Sequence, residues 1–154
     1  MNVVGISPRL SADEAMNQTV AQMRRGRELA ISGRRNVEIK FLGTNQIQLV
    51  RYEVPVGTTV LSTFNLSNKI EFRTFDGVPD TPYSFGNYAA VDFGGATQLI
   101  FQTDGTLVDQ QGNPRNGSVF LGVASHTETA RAATILGGTG RVRGYRWAKT
   151  EWTK

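Results

Sequence analysis

The sequence predicts an α+β domain in which a long N-terminal helix packs on an antiparallel β-sandwich of two sheets. Three observations carry this reading. Apolar residues recur at helical spacing through the first 33 residues, the pattern changes to period two after Gly33, and the rest of the chain falls into nine short runs parted by Gly, Asn, Asp and Pro. A chain of 154 residues is about one domain long and buries enough surface to fold without a disulfide or a metal.

The helix comes first. Ser11 followed by Glu14 spells a capping box, and Asp13 adds an acid to the first turn, where the helix dipole favours it. From there Met16, Val20, Met23, Arg27 and Ala30/Ile31 share one face, and Gly33 is the expected stop before Arg34 and Arg35. Gly26, inside this span, reads either as a tolerated glycine or as a close approach to whatever the helix packs on. The helical part is set at residues 1–35 and the sandwich at 36–154, with a basic tail at 140–154.

Strand alternation then begins. Val37, Ile39 and Phe41 alternate with Glu38 and Lys40, and Gly43-Thr44-Asn45 turns the chain into a second run from Gln46 to Val54, so the two make a hairpin. Pro55 and Gly57 end it. The remaining strands are expected at 58–63, 69–75, 89–93, 98–103, 118–123, 127–136 and 140–148, with the helix laid against one of the two sheets. Residues 76–88 form the longest stretch without periodicity; its three aromatics, Tyr83, Phe85 and Tyr88, mark either a surface excursion or a binding loop.

Composition narrows the chemistry. The absence of Cys excludes thiol catalysis and thiolate metal sites and leaves the redox compartment open, while a single histidine, His126, excludes a multi-histidine site. No apolar run approaches the roughly 18 residues of a membrane span. Acids are scattered singly, and Ser125-His126-Thr127-Glu128 is too generic to define a triad, so no catalytic residue, metal or cofactor is expected. Gly137-Gly138-Thr139-Gly140 lacks the Lys-Ser/Thr ending and the strand-to-helix setting of a phosphate loop and reads as a hairpin turn.

Charge is distributed unevenly. Residues 24–35 hold five Arg against Glu28, and residues 141–154 hold Arg141, Arg143, Arg146, Lys149 and Lys154 against Glu151, while the body between them is net acidic. A localised basic stripe is either an anion footprint or a solvated face. In the tail, a strand from Gly140 onward places Arg141, Arg143, Tyr145, Trp147 and Lys149 on one face. Two readings of that face stand. The guanidinium groups of Arg141 and Arg143, with Arg146 and Lys149 adding charge, bind phosphates while Tyr145 and Trp147 stack on unpaired bases. Alternatively, the rings close a core and the cations point to solvent.

Residues 134–143 (Thr134-Ile135-Leu136-Gly137-Gly138-Thr139-Gly140-Arg141-Val142-Arg143) follow a helix that ends Arg27-Glu28-Leu29-Ala30-Ile31. Between them lies Leu99-Ile100-Phe101-Gln102-Thr103-Asp104-Gly105-Thr106. In this order the three segments resemble the GspH/FimT-type pseudopilins and minor pilins, over most of residues 11–146. The resemblance implies the same helix-plus-sandwich fold. It further implies a protein anchored in the bacterial inner membrane with its globular part in the periplasm, one of the subunits that initiate a type IV pilus or a type II secretion pseudopilus. Its partners would be other pilin subunits and the membrane, with Arg24, Arg25 and Glu28 on the polar helix side offered to neighbours.

The family's leader and apolar half-helix are not in this sequence, and Asn2-Val3-Val4 resembles the stretch that follows them, so the expectation is a soluble portion freed of its anchor. The FimT branch is associated with DNA uptake through a Gly-Arg-x-Arg ending, which Gly140-Arg141-Val142-Arg143 resembles residue for residue. That similarity makes DNA an expected second partner. A competing class is a carbohydrate-binding sandwich unrelated to pilins, with Tyr83, Phe85 and Tyr88 as its contacts.

Overall fold

The computed structural model describes residues 7–67 and 69–154; the Asn2-Val3-Val4 stretch lies outside them. Among the described residues one α-helix, α1 (Pro8–Gly33), is followed by eleven strands. It begins one turn earlier than the capping box suggests. Ser7 is the N-cap, its hydroxyl accepting from the Leu10 N–H at 3.2 Å, and Pro8 supplies a φ already suited to the first turn. Ser11 therefore lies inside the helix, where its N–H donates to the Ser7 carbonyl at 3.0 Å. At the other end Arg34, not Gly33, takes the left-handed conformation that closes the helix. Among the described residues no helix is long and apolar enough to cross a membrane.

The strands are β1 (Val37–Leu42), β2 (Gln46–Tyr52), β3 (Thr58–Asn65), β4 (Ile70–Phe72), β5 (Val91–Asp92), β6 (Ile100–Phe101), β7 (Leu107–Val108), β8 (Gly117–Val123), β9 (Arg131–Leu136), β10 (Arg141–Trp147) and β11 (Trp152–Thr153). Sheet A runs β3-β2-β1-β6-β7 and sheet B runs β11-β10-β9-β8-β4, with β5 also on β8; every pairing is antiparallel. The hairpin expected at Gly43-Thr44-Asn45 forms, pairing Leu42 with Gln46. Two strands escape the sequence reading: β7, folded back from β6 across the Asp104-Gly105 turn, and β11. The run expected from residue 127 opens instead with a 3-10 turn, Thr127–Thr129, before β9 starts at Arg131.

The helix lies across both sheets rather than on one. Its first half meets sheet B, with Met16 against Gly144, and its second half meets sheet A, with the backbone of Gly26 against the Phe101 ring and Leu49. A Cβ at Gly26 would stand 3.0 Å from Phe101, so this glycine is a close approach. Ala12, Ala15, Val20, Met23 and Ala30 enter one core with Ile39, Leu49, Phe101, Leu121, Ile135 and Val142. Alternation along sheet B sends the intervening side chains to its other face. There Phe120, Ala132 and Tyr145 form a second core with Ala130 and Trp152, packed against Phe75, Val78 and Trp147.

Candidate nucleic-acid interface

The site begins at the turn that launches β10. Gly140 has φ +73° and closes the 137–140 turn with its N–H on the Leu136 carbonyl at 2.7 Å. A Cβ there would run into the carbonyl oxygen of Gly105 and the side chain of Arg27. Gly105, at φ +90° in the β6–β7 turn, faces Arg27 from the other side; a Cβ on it would stand 2.9 Å from the Arg27 Nε. The guanidinium of Arg27 is thus threaded between two glycine turns, with Nε donating to the Gly105 carbonyl at 3.3 Å. Of the glycines in the two turns, Gly105 and Gly140 leave the room that this side chain takes.

From that turn Arg141 and Arg143 project where the first half of β10 has no strand beyond it, because β11 pairs only with Arg146 and Trp147. Arg24 of the helix reaches the same edge and donates from Nη2 to the Val142 carbonyl at 3.1 Å. Arg24, Arg27, Arg141 and Arg143 line one open groove of about 610 Å³ with Glu28 as its single acid; a shallower hollow continues past Arg143 and Gly144 to Lys154. Among the described residues none of these four arginines is within ion-pair distance of a carboxylate. Four guanidinium groups lining one groove against a single acid concentrate positive charge there, and an anion with several charges is favoured in it.

The structure divides the residues expected at the DNA site. Gly140, Arg141 and Arg143 belong to this groove. Arg146 sits elsewhere: its Nη1 is 3.6 Å from Asp13 Oδ2, and with Lys149, Arg9 and Trp147 it lines a separate hollow of about 590 Å³. The stacking assignment is corrected for Tyr145, which is 3% exposed within the second core. Trp147 packs against that core beside Trp152, with ring centroids 5.5 Å apart, and its partly exposed ring lines the hollow of Arg146 and Lys149 instead of the arginine groove. The cover over Tyr145 comes from residues 75–79 and from Trp152, whose indole N–H donates to the Pro79 carbonyl at 3.0 Å. Asp13 is likewise a tertiary partner rather than a first-turn dipole residue: it accepts from the Nε of buried Arg131 at 2.7 Å.

The helix residues assigned to assembly, Arg24, Arg25 and Glu28, are all exposed, but Arg24 and Glu28 line the groove while Arg25 does not. Sequence reasoning did not place Arg27 at the site, since its spacing put it on the packed face. The one available signal was that both basic segments carry the same excess charge. His126 is exposed at the 3-10 turn with Nδ1 3.0 Å from Glu128 Oε2. The Glu128 carboxyl is held below its usual range by a backbone N–H and by His126. No group of three His, Asp or Glu side chains suited to a metal occurs among the described residues. Tyr83 and Phe85 stack on each other, with centroids 5.2 Å apart and planes 9° from parallel, instead of lying side by side as a flat platform for a sugar.

The long helix and the two antiparallel sheets give an α+β fold of the minor-pilin type. Two proteins of known structure share it. The chain is similar to the minor pseudopilin EpsH from the type II secretion system of Vibrio cholerae, at 13% identity and a TM-score of 0.61 over 94% of this chain and all of that one. It is also similar to the type IV minor pilin FimU of Pseudomonas aeruginosa, at 13% identity and a TM-score of 0.59 over 95% of both chains. No family model and no curated protein sequence matches the chain.

Proposed function

We propose that the chain is a non-enzymatic subunit of a type IV pilus or a type II secretion pseudopilus, and that its arginine groove binds DNA without sequence preference. The fold shared with EpsH and FimU supports the assembly role and a periplasmic or filament-tip location for the globular part. The observation that carries the binding role is the meeting of four arginines that make no ion pair among the described residues, Arg24 and Arg27 from the helix and Arg141 and Arg143 from the tail. The Gly140-Arg141-Val142-Arg143 sequence, similar to the ending of the DNA-uptake branch, supports the same reading. Guanidinium groups suit phosphate because their donors match its oxygens two at a time.

Titration of labelled duplex at low salt tests it. With about three phosphates neutralised, the logarithm of affinity falls against the logarithm of salt with a slope of roughly −3. Removing Arg141 or Arg143 flattens the slope by about one. The Arg146→Ala/Lys149→Ala variant, altered outside the groove, leaves that slope unchanged. Equal binding by the parent and a folded Arg141→Ala/Arg143→Ala variant would remove the groove as the DNA site. For assembly, Arg25→Glu in the membrane-anchored protein should lower incorporation into the filament at unchanged protein level; normal incorporation would exclude this helix surface.

A further inference from the structure

None of the tail's rings lines the arginine groove, yet a different ring stands beside it. Tyr83, from the aperiodic 76–88 stretch, is 44% exposed, and the guanidinium of Arg143 lies 5.9 Å from its ring centre. That separation is at the outer limit of a cation–π contact, about 6 Å, so the cation is held there only loosely. Arg143 also lines both the arginine groove and the hollow leading to Lys154. Tyr83 therefore adjoins the row of guanidinium groups at a residue that belongs to both.

The ring is fixed in place before any ligand arrives. Asp80 accepts from the Thr81 and Gly86 N–H groups, each at 2.7 Å, and the Ser84 N–H donates to the Thr81 carbonyl at 2.8 Å, closing a turn with Tyr83 inside it. Thr81 is buried, and Phe85 backs the Tyr83 ring. Pro79, just before this turn, is tied to Trp152 of β11. A ring whose backbone and backing are already set loses little freedom when a planar group stacks on it.

We propose that Tyr83 is the base-stacking residue of the arginine groove, and that the groove accordingly takes single-stranded DNA in preference to duplex; this rests on the DNA reading above. A base on Tyr83 takes the place of the loose Arg143 contact and releases that guanidinium to a neighbouring phosphate. A duplex keeps its base faces inside its own stack and gains only the phosphate contacts.

The experiment compares labelled oligothymidylate with a duplex of equal phosphate count, titrated by fluorescence anisotropy at one low salt concentration. Tyr83→Ala is expected to weaken single-strand binding by about tenfold, within the range of one base–aromatic stack, and to leave duplex affinity unchanged. Tyr83→Leu, which keeps bulk without a π face, should behave like Tyr83→Ala, and Tyr83→Phe like the parent, with circular dichroism confirming that each is folded. Single-strand affinity that ignores Tyr83, or an equal loss on both nucleic acids, overturns the stacking role while leaving arginine-dependent DNA binding intact. A parent that binds neither nucleic acid overturns the DNA reading and this inference with it.

Discussion

Arg27 shows how one side chain ties sequence motifs that lie far apart. Its guanidinium occupies the space that a Cβ at Gly105 or Gly140 would take, and both residues have a positive φ. Gly140→Ala therefore carries two penalties: about 1–2 kcal/mol for an L-residue in the left-handed region, and about 1–3 kcal/mol for forcing an extra carbon against packed backbone. A loss of about 3 kcal/mol in chemical denaturation is expected from the two together. Gly138, two residues earlier, has open space where a Cβ would stand. Gly138→Ala should stay within about 0.5 kcal/mol of the parent. The comparison separates the packed, left-handed position from the general tolerance of a hairpin turn, and similar losses at both positions would show that the positive φ of Gly140 and its contacts with Gly105 and Arg27 impose nothing. Because Arg141 follows Gly140 directly, the first substitution should also reduce DNA affinity.

The helix is joined to sheet B by charge as well as by apolar packing. Arg131 is 4% exposed; its Nε donates to Asp13 at 2.7 Å, and its Nη1 donates to the carbonyls of Glu128 and Ala130 at 3.0 and 2.8 Å. Arg131→Ala leaves the Asp13 carboxylate and two carbonyls without this donor and is expected to cost about 3 kcal/mol, as breaking a buried pair does. Arg146→Ala removes only a half-exposed partner at 3.6 Å and should cost under about 1 kcal/mol. Thermal melts of the two variants decide between them. If both shifts are small, the Asp13 bridge does not hold the helix. Elements of this kind were only partly legible in the sequence. The switch from helical spacing to alternation after Gly33 is a local signal, and it marked α1, β1 and β2. The two-residue strands β7 and β11 carry no period to detect. The cover over Tyr145 comes from residues 75–79 and from Trp152, so alternation alone could assign that ring a face but not its burial. At the candidate site Arg141 and Arg143 were legible because they are neighbours on one strand. Arg24 and Arg27 join them only once the helix is laid across both sheets.

At the scale of the whole molecule, sheet B belongs to two cores at once. Val119, Leu121, Ala133 and Val142 face the helix, and Phe120, Ala132 and Tyr145 face the second core from the same strands. Loss of one core therefore strips support from the strands that build the other. The helix depends on the rest of the domain: 26 residues make a long isolated helix, but its Ala12, Ala15, Val20, Met23 and Ala30 stripe is apolar and enters the core it shares with the two sheets. Dividing the chain at residue 35 thus marks a change of pattern and not a separate folding unit. Two optical signals report the two regions, because both tryptophans, Trp147 and Trp152, lie in or against the second core while the helix dominates far-ultraviolet ellipticity. In urea the two signals should trace one transition with the same midpoint, as a single cooperative domain of this size does. Ellipticity lost at a lower urea concentration than tryptophan emission would show the helix leaving an intact sandwich, and the two-sheet packing of α1 would then contribute little to the stability of the fold.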